Sequence, residues 1–247
     1  MEDIKRFAEL LDASKRAVFF GGAGVSTESG MKDYRSEDGL YQTVKAYGVS
    51  PEVILSHSFF EAHPDTFYDF YYTYFLQETA QPNAAHRVLA AWEAEGKLSA
   101  VITQNIDGLH QAAGSRHVVE LHGTTKKHYC SRCGKEQTVD EIKVLQGKVP
   151  HCPACGGVIR PRVVLYEESL EENSIREAIT QIAEADLLIV GGTSLAVYPA
   201  AGFLHYFQGD HMVLINREAT PYDRKADLIF RDKIGEVLSQ VQACRSK

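Results

Sequence analysis

The stretch Ala17-Val-Phe-Phe-Gly-Gly-Ala-Gly-Val-Ser26 joins a short apolar run to a cluster of glycines. This order is typical of a buried strand, a tight turn and the start of a helix. Five more runs have the length of short buried strands, at 100–103, 163–166, 187–190, 212–215 and 228–230. Helical patterns lie at about 4–13, 84–95, 172–185 and 233–243. Short buried strands that alternate with helices predict an α/β fold with a parallel sheet covered on both faces.

The composition limits the class of protein. The 247 residues are 44% apolar and 24% charged, as in ordinary globular proteins, and they can bury one core with a small satellite module. The net charge of −7 argues against nucleic acid as the main partner, because neutralising phosphates requires clustered Lys and Arg. No apolar run approaches the roughly 20 residues that span a bilayer. Because Met1-Glu-Asp-Ile-Lys-Arg6 lacks a signal-peptide pattern, we expect a cytoplasmic protein without a membrane partner.

Two segments interrupt the alternation of strands and helices. Residues 41–79 are rich in aromatic side chains and have a helical pattern, and residues 123–159 contain four cysteines. We expect both segments to be insertions that together form a smaller lobe over the ligand edge of the sheet.

Small and polar residues follow the predicted strands. They are Gly21–Ser26, Gln104-Asn105-Ile106-Asp107, Gly191-Gly192-Thr193-Ser194, Asn216 and Arg231-Asp232. Ligands of open α/β sheets bind outside the carboxyl ends of the strands, so the pattern predicts a nucleotide site. The alternative is that these residues only end their strands, as turn residues must.

The first glycine loop is a poor match to an ordinary dehydrogenase. Gly22-Ala23-Gly24 supplies two glycines, but Thr27 stands where the third is expected. No acidic residue closes a second strand about 20 residues later. The loop still allows close approach of a pyrophosphate, with backbone amides at a helix start facing the anion.

The cysteines Cys130, Cys133, Cys152 and Cys155 have the spacing C-x2-C-x18-C-x2-C. This spacing indicates a zinc ribbon whose four thiolates leave no ligand position for water, so the metal is expected to be structural. An incidental or redox role is the alternative. His128 and His151 lie near enough in sequence to replace a cysteine ligand, but the complete set of four favours exposed loop positions for both. Cys244 stands alone, and no disulfide framework is expected in the cytoplasm.

Three polar residues are candidates for the chemistry. Asn105 and Asp107 carry acceptors that could orient a ribose or an amide, although both could simply cap the next helix. His122 is a candidate acid–base residue, although a lone histidine before a glycine is usually packed or capping.

Taken together, these motifs resemble the sirtuins over nearly the whole chain. They follow in the family's order: Gly22–Ser26, Ser29–Arg35, Thr103–Asp107, Glu120–Gly123, the four cysteines, Gly192–Ser194 and Val197–Pro199. The resemblance implies an NAD-dependent protein-lysine deacylase with a Rossmann-like, doubly wound parallel sheet and a smaller lobe made of a zinc-ribbon module and a helical module. It places the large domain at about 1–35, 80–122 and 160–247, and the small lobe at about 36–79 and 123–159.

The resemblance also implies a role for each matching residue. His122 would be the general base that activates a ribose hydroxyl after nicotinamide has left and the acyl-lysine oxygen has attacked the ribose carbon. The cofactor would contact Gly22, Ala23, Gly24, Thr27, Tyr34, Arg35, Gln104, Asn105, Ile106, Asp107, His122, Gly192, Thr193, Ser194, Asn216 and Asp232. An extended substrate peptide carrying the acylated lysine would pair with Val164, Tyr166 and Val197. One zinc ion would bind the four cysteines.

Two other functions are compatible with parts of the sequence. Mono-ADP-ribosyl transfer to protein cleaves the same bond of NAD, but it needs no base of the kind that His122 would supply. A non-catalytic zinc-ribbon protein, on DNA for example, fits neither the acidic charge nor the nucleotide-like residues at the strand ends.

The chain departs from the usual sirtuin sequence at two places. Gly-Ile-Pro-Asp-Phe-Arg becomes Gly30-Met-Lys-Asp-Tyr-Arg35, and Phe-Gly-Glu in the substrate strand becomes Tyr166-Glu-Glu168. Tyr68 and Tyr71 are each followed three residues later by tyrosine rather than by the arginine of succinyl-preferring sirtuins. We therefore expect acetyl or longer apolar acyl groups. The aromatic run 67–75 could line an acyl tunnel, but we favour core packing for it.

Overall fold

The computed structural model describes residues 1–31, 44–76, 80–145, 147–195 and 199–245. Within these ranges, nine strands form two sheets: β1 (Ala17–Gly21), β2 (Leu98–Thr103), β3 (Val118–Glu120), β4 (Gly123–Cys130), β5 (Glu136–Thr138), β6 (Ile159–Val163), β7 (Leu187–Gly191), β8 (His211–Ile215) and β9 (Leu228–Phe230). The larger sheet is parallel with the order β3-β2-β1-β7-β8-β9. This is the order of a Rossmann-type doubly wound sheet, and it reverses between β1 and β7.

Nine α-helices are present in the described ranges: α1 (Glu2–Ala13), α2 (Pro51–Ile54), α3 (His57–Ala62), α4 (Pro64–Tyr74), α5 (Ala84–Ala94), α6 (Leu109–Ala112), α7 (Val139–Lys143), α8 (Glu172–Glu184) and α9 (Ile234–Arg245). Short 3-10 helices lie at Ala23–Val25, Thr27–Ser29, Ala200–Tyr206 and Asp223–Lys225. None of the helices within these ranges is both long and apolar enough to cross a bilayer.

The parallel sheet is buried on both faces because successive side chains of a strand point to opposite sides. Phe19, Val101 and Ile189 belong to the apolar cluster under α1, α5 and α9. Val18, Phe20 and Ile102 belong to the cluster under α8 and the 3-10 helix Ala200–Tyr206. These strand side chains are 0% exposed, which explains the continuous apolar runs in the sequence.

A third apolar cluster joins the aromatic helices to the cysteine segment. From the helices come Phe60, Phe67, Tyr68, Tyr71 and Tyr72, and from the cysteine segment come Cys130, Ile142, Cys152 and Ile159. Core packing of the aromatic run is therefore confirmed for its described members in this cluster. The ends of the two domains in the sequence stay predictions.

The structure corrects two expectations and adds a strand of the parallel sheet that the sequence did not predict. Residues 163–166 are not a strand of the parallel sheet, because β6 ends at Val163 and pairs antiparallel with β4 in the second sheet, whose order is β5-β4-β6. The short strand β3 was missed, since only Val118 and Val119 in it are apolar. His128 is not in an exposed loop: it lies in β4, is 0% exposed, and its Nε2 lies 2.9 Å from the Tyr71 hydroxyl.

Candidate active site at the carboxyl edge of the parallel sheet

Two glycine turns meet where the strand order reverses. The backbone N–H of Gly24, after β1, donates to the carbonyl oxygen of Gly192, after β7, over 2.8 Å. A Cβ on Gly24 would lie 2.7 Å from Gly192 Cα, and a Cβ on Gly192 would lie 2.5 Å from the nitrogen of Val25. Gly192 also has a φ of +61°. The contact between the two turns is enough to require glycine at both positions. Backbone atoms, and not side chains, therefore lie at the switch point.

A hydrogen-bonded network connects the turn after β1 to the turn after β2. Asn105 Nδ2 donates to the Gly22 carbonyl oxygen over 3.1 Å and to Ser26 Oγ over 3.0 Å. Ser26 Oγ donates to Asp107 Oδ2 over 2.7 Å, and Ser26 is 3% exposed. Asp107 Oδ1 also accepts from the N–H of Leu109, the first residue of α6, over 2.8 Å. Asp107 thus bonds the first residue of a helix whose N-cap is Gly108, and its second oxygen fixes the loop that bears Ser26.

His122 lies beside this network, two residues after the end of β3. Its Nδ1 is 2.8 Å from the carbonyl oxygen of Gln104. A carbonyl oxygen can only accept a hydrogen bond, so Nδ1 carries the proton. In the neutral ring Nε2 then carries the lone pair, which is the form that a general base requires.

Gln104 holds the histidine and the two glycine turns together. Its backbone N–H donates to the Gly21 carbonyl oxygen over 3.0 Å, and its Nε2 donates to Thr193 Oγ1 over 3.1 Å. The N–H of Val164 donates to the His122 carbonyl oxygen over 2.9 Å, so the expected substrate segment begins next to the histidine. The sheet edge therefore brings together the residues predicted for the nicotinamide side and part of those predicted for the peptide.

The remaining predicted cofactor residues are more dispersed. Ala23 and Thr27 are exposed on the first loop, and Ile106 is half-buried in the second. Ser194 is exposed after β7, Asn216 directly follows β8, and Asp232 is exposed after β9 at the outer edge of the sheet. Tyr34, Arg35 and Val197 lie outside the described residues.

Two supporting residues were missed in the sequence analysis. Asn83 Nδ2 donates to the Val25 carbonyl oxygen over 2.7 Å and to Ser29 Oγ over 3.0 Å. Glu28 Oε1 accepts from the N–H of Gly235 in α9 over 3.0 Å. The sequence signals the helix cap at Asn83 through Asn83 and His86, but it gives no sign of these contacts to the distant loop.

A pair of buried histidines lies behind the loop that carries Asp107. The rings of His86 and His110 are 4.7 Å apart and are 0% and 1% exposed. Burial lowers the pKa of His86 to about 4 and the pKa of His110 to about 3. Both rings are therefore neutral at physiological pH, so two positively charged imidazoles do not lie side by side.

The four cysteines converge in the smaller lobe, and their Sγ atoms all lie within 4.8 Å of one another. Cys130 Sγ is 3.5 Å from Cys155 Sγ, and Cys133 Sγ is 3.8 Å from Cys152 Sγ. A zinc ion with Zn–S bonds of about 2.3 Å in a tetrahedron separates its sulfurs by about 3.8 Å, so the cluster fits zinc. Backbone N–H groups, that of Cys133 foremost, lower the pKa of the Cys130 thiol to about 6, which favours the thiolate that binds metal.

Strand order, glycine contact and cysteine cluster together define an α/β dinucleotide-binding protein with a structural metal site. A family model described as the Sir2 family matches residues 22–199. The chain therefore belongs to the Sir2 family.

Curated relatives and solved structures agree with this assignment. An NAD-dependent protein deacetylase of Clostridium tetani is 51% identical over 98% of each chain. One of Cutibacterium acnes is 54% identical over 96% of this chain and 97% of its own. A Sir2 structure with a p53 peptide and NAD+ has a TM-score of 0.86 at 40% identity and covers 97% of both chains. Another, with deacetylated p53 peptide and 3′-O-acetyl ADP-ribose, has a TM-score of 0.88 at 41% identity over 97% of each chain.

Proposed function

We propose that this protein is an NAD-dependent protein-lysine deacetylase that transfers the acyl group to ADP-ribose and releases nicotinamide. Relatives that are 51% and 54% identical over nearly their full length carry this activity in their names. The observation that carries the proposal is the hydrogen bond from His122 Nδ1 to the Gln104 carbonyl oxygen, because it fixes the base-competent tautomer at the ligand edge.

Each group of residues at the sheet edge would have its own role. Gly22, Gly24 and Gly192 provide a backbone surface that an anionic diphosphate can approach. Asn105 and Asp107, tied to Ser26, present amide and carboxylate groups in a fixed orientation toward the nicotinamide ribose. Bound NAD supplies a labile ribosyl bond and a ribose that accepts the acyl group. His122 removes a proton from a ribose hydroxyl, a role for which its Nε2 has the required lone pair.

The zinc ion would be structural, because four sulfurs occupy every tetrahedral position. It would hold Cys130 of β4 and Cys152, both of which pack in the third apolar cluster. The metal therefore shapes the smaller lobe and takes no part in acyl transfer.

The substrate would be an acylated lysine in a polypeptide, extended along Val164 and Tyr166, and the family resemblance adds Val197 as a contact. Acetyl or longer apolar groups are favoured over succinyl. Tyr68 and Tyr71 are buried, and their hydroxyls are bonded to the Ile159 carbonyl oxygen and to His128. Both hydroxyls are therefore engaged in bonds within the smaller lobe. We place the enzyme in the cytoplasm, where reduced thiols can bind zinc.

Product analysis tests the proposal. The purified protein is incubated with NAD and acetyl-, succinyl- and myristoyl-lysine peptides, and the products are identified by mass spectrometry. Nicotinamide and O-acyl-ADP-ribose formed in equal amounts, with the free-lysine peptide, are the expected result. A peptide or protein heavier by one ADP-ribose, with its acyl group retained, would instead identify ADP-ribosyl transfer. NAD-independent release of the acyl group, or no turnover, would contradict the proposal.

A further inference from the structure

Glu167 adopts a backbone conformation that favours glycine. Its φ is +76°, in the left-handed region that side chains with a Cβ enter only at an energetic cost. The usual glycine of the family at this position accounts for the conformation but has no side chain. A contact of the Glu167 side chain must therefore stabilise this backbone conformation.

The side chain of Glu167 is fixed by Ser58 at the start of α3. Glu167 Oε2 accepts from the Ser58 backbone N–H over 2.8 Å, and Oε1 accepts from Ser58 Oγ over 2.8 Å. The backbone N–H of Ser58, with the Ser58 hydroxyl, lowers the pKa of the Glu167 carboxyl. The result is a carboxylate held in one position on the surface, rather than a mobile surface side chain.

This carboxylate lies on the wall of a groove of about 460 Å³ between α2, α3 and the substrate segment. Its apolar surface comes from Val53, Phe59 and Tyr166, and Val53 and Tyr166 are 44% and 40% exposed. Glu52 supplies a second carboxylate. The described lining includes His63 but neither Lys nor Arg. A groove with aromatic walls and two carboxylates is complementary to the long aliphatic stem and positive end of a lysine or arginine.

The groove is continuous with the expected substrate segment. Tyr166 lines it, and Tyr166 is two residues from Val164, whose N–H is bonded to the His122 carbonyl oxygen. Two extended residues span about 7 Å. Hydrogen bonds from Tyr166 N–H to the Leu55 carbonyl oxygen and from His57 N–H to the Tyr166 carbonyl oxygen, each 3.0 Å, hold the segment against α3. A side chain within about three residues of the acylated lysine would therefore reach the groove.

We propose that this groove binds a basic side chain of the substrate polypeptide near the acylated lysine, and that Glu167 determines this preference. The inference rests on the proposed deacetylase function. It concerns the choice of peptide and not the chemistry, so it acts through the KM for the peptide.

A set of acetyl-lysine peptides tests the inference. Each peptide carries a single arginine at one position from −3 to +3 relative to the acetyl-lysine, with alanine at the other positions. We expect arginine at one or two adjacent positions to raise kcat/KM about two- to five-fold through KM, the range of an exposed ion pair. High salt should weaken the preference. Glu167→Gln, which keeps the size and one acceptor, should reduce it, and Glu52→Gln should reduce it partly. Glu61→Gln, on the exposed side of α3, is the matched control and should leave it unchanged.

The preference is a ratio of two kcat/KM values measured on the same enzyme sample, so a partly unfolded variant does not distort it. Turnover without any preference for arginine in the wild-type protein would overturn the inference while leaving the deacetylase function intact. An equal preference in Glu167→Gln would overturn the role of Glu167. Absence of turnover with every peptide would remove the proposed function and the inference with it.

Discussion

The position of one proton makes His122 suitable as a base. Because the Gln104 carbonyl oxygen accepts from Nδ1, the ring cannot place its neutral-state proton on Nε2 without losing this bond. Gln104 is in turn held by Gly21, the last residue of β1, and by Thr193, in the turn after β7. The tautomer of His122 is therefore coupled to the same turns that would receive the dinucleotide.

Replacing His122 with alanine should lower the turnover of an acetylated peptide by a factor on the order of 10²–10⁴, the usual contribution of a positioned base. Zinc content and melting temperature should stay close to those of the wild-type protein. His117→Ala is the control, because His117 also bonds through Nδ1 to a backbone carbonyl, that of Ser99, but precedes β3 at the opposite end of that strand. Near-normal turnover by His122→Ala would remove this residue from the proposed role.

At the scale of single residues, the sequence singled out His122, Asn105 and Asp107 because they occur together with the other motifs, not because any one of them is unusual in a turn. It did not identify Ser26 as the hydroxyl between Asn105 and Asp107, or Asn83 as a support of the first loop. Serine and asparagine are ordinary turn and cap residues, so their tertiary contacts leave no local signal.

At the scale of elements, the site depends on two turns that touch. The turn after β1 and the turn after β7 approach so closely that Gly24 and Gly192 exclude each other's side chains. The sequence predicted both strands because their apolar runs are continuous. It mistook 163–166 for a third strand of this kind, since a short apolar run has no period that separates sheet types.

Gly192→Ala should destabilise the protein more than Gly96→Ala. Both glycines have positive φ, +61° and +72°. A Cβ on Gly96 would meet no atom within 4 Å, whereas a Cβ on Gly192 would lie 2.5 Å from a backbone nitrogen. The two variants share the cost of the conformation, and overpacking should add about 1–3 kcal/mol for Gly192. Urea unfolding measures the difference, and equal destabilisation would show that the turns do not need this contact.

Cys152→Ser should reduce the bound zinc from one ion per chain toward none, because it removes one of four converging sulfurs. The melting temperature should fall, since Cys130 and Cys152 belong to the third apolar cluster. Cys244→Ser, at the cysteine outside the cluster, should change neither quantity. Elemental analysis and thermal unfolding of the two variants provide the comparison, and full zinc occupancy in Cys152→Ser would contradict the assigned ligand set.

At the scale of the whole molecule, an α/β core with two apolar layers supports a smaller lobe built on a third. The fold class and the two insertions could be predicted, because alternating strands and helices and paired cysteines leave strong patterns in the sequence. Two contacts could not be predicted: the burial of His128 against Tyr71, and the hydrogen bond from Ser58 to Glu167. Both depend on how distant segments of the chain pack together.

The buried histidines should make stability depend on pH above the range in which carboxylates titrate. On folding, the pKa of His86 falls from 6.5 to about 4 and that of His110 from 6.5 to about 3. Between these lowered pKa values and 6.5, the unfolded chain binds more protons than the folded chain. Stability should therefore be highest above pH 6.5 and fall as the pH drops toward 4, by up to about 1.4 kcal/mol per pH unit for each histidine.

His110→Leu should reduce the slope of unfolding free energy against pH between pH 6.5 and 5. His205→Leu, at an exposed histidine, should not change it. Urea unfolding across this range gives the slope, and the same slope in His110→Leu and the wild-type protein would show that His110 is not the titrating group.

The central claim is that a dinucleotide crosses the switch point with its nicotinamide ribose presented to His122. A crystal structure with NAD and an acetyl-lysine peptide tests it most directly. We predict His122 Nε2 within about 2.6–3.2 Å of a hydroxyl of that ribose, or joined to it by one water molecule. A ribose bound beyond reach of the ring, or a dinucleotide seated away from the turns after β1 and β7, would contradict the account.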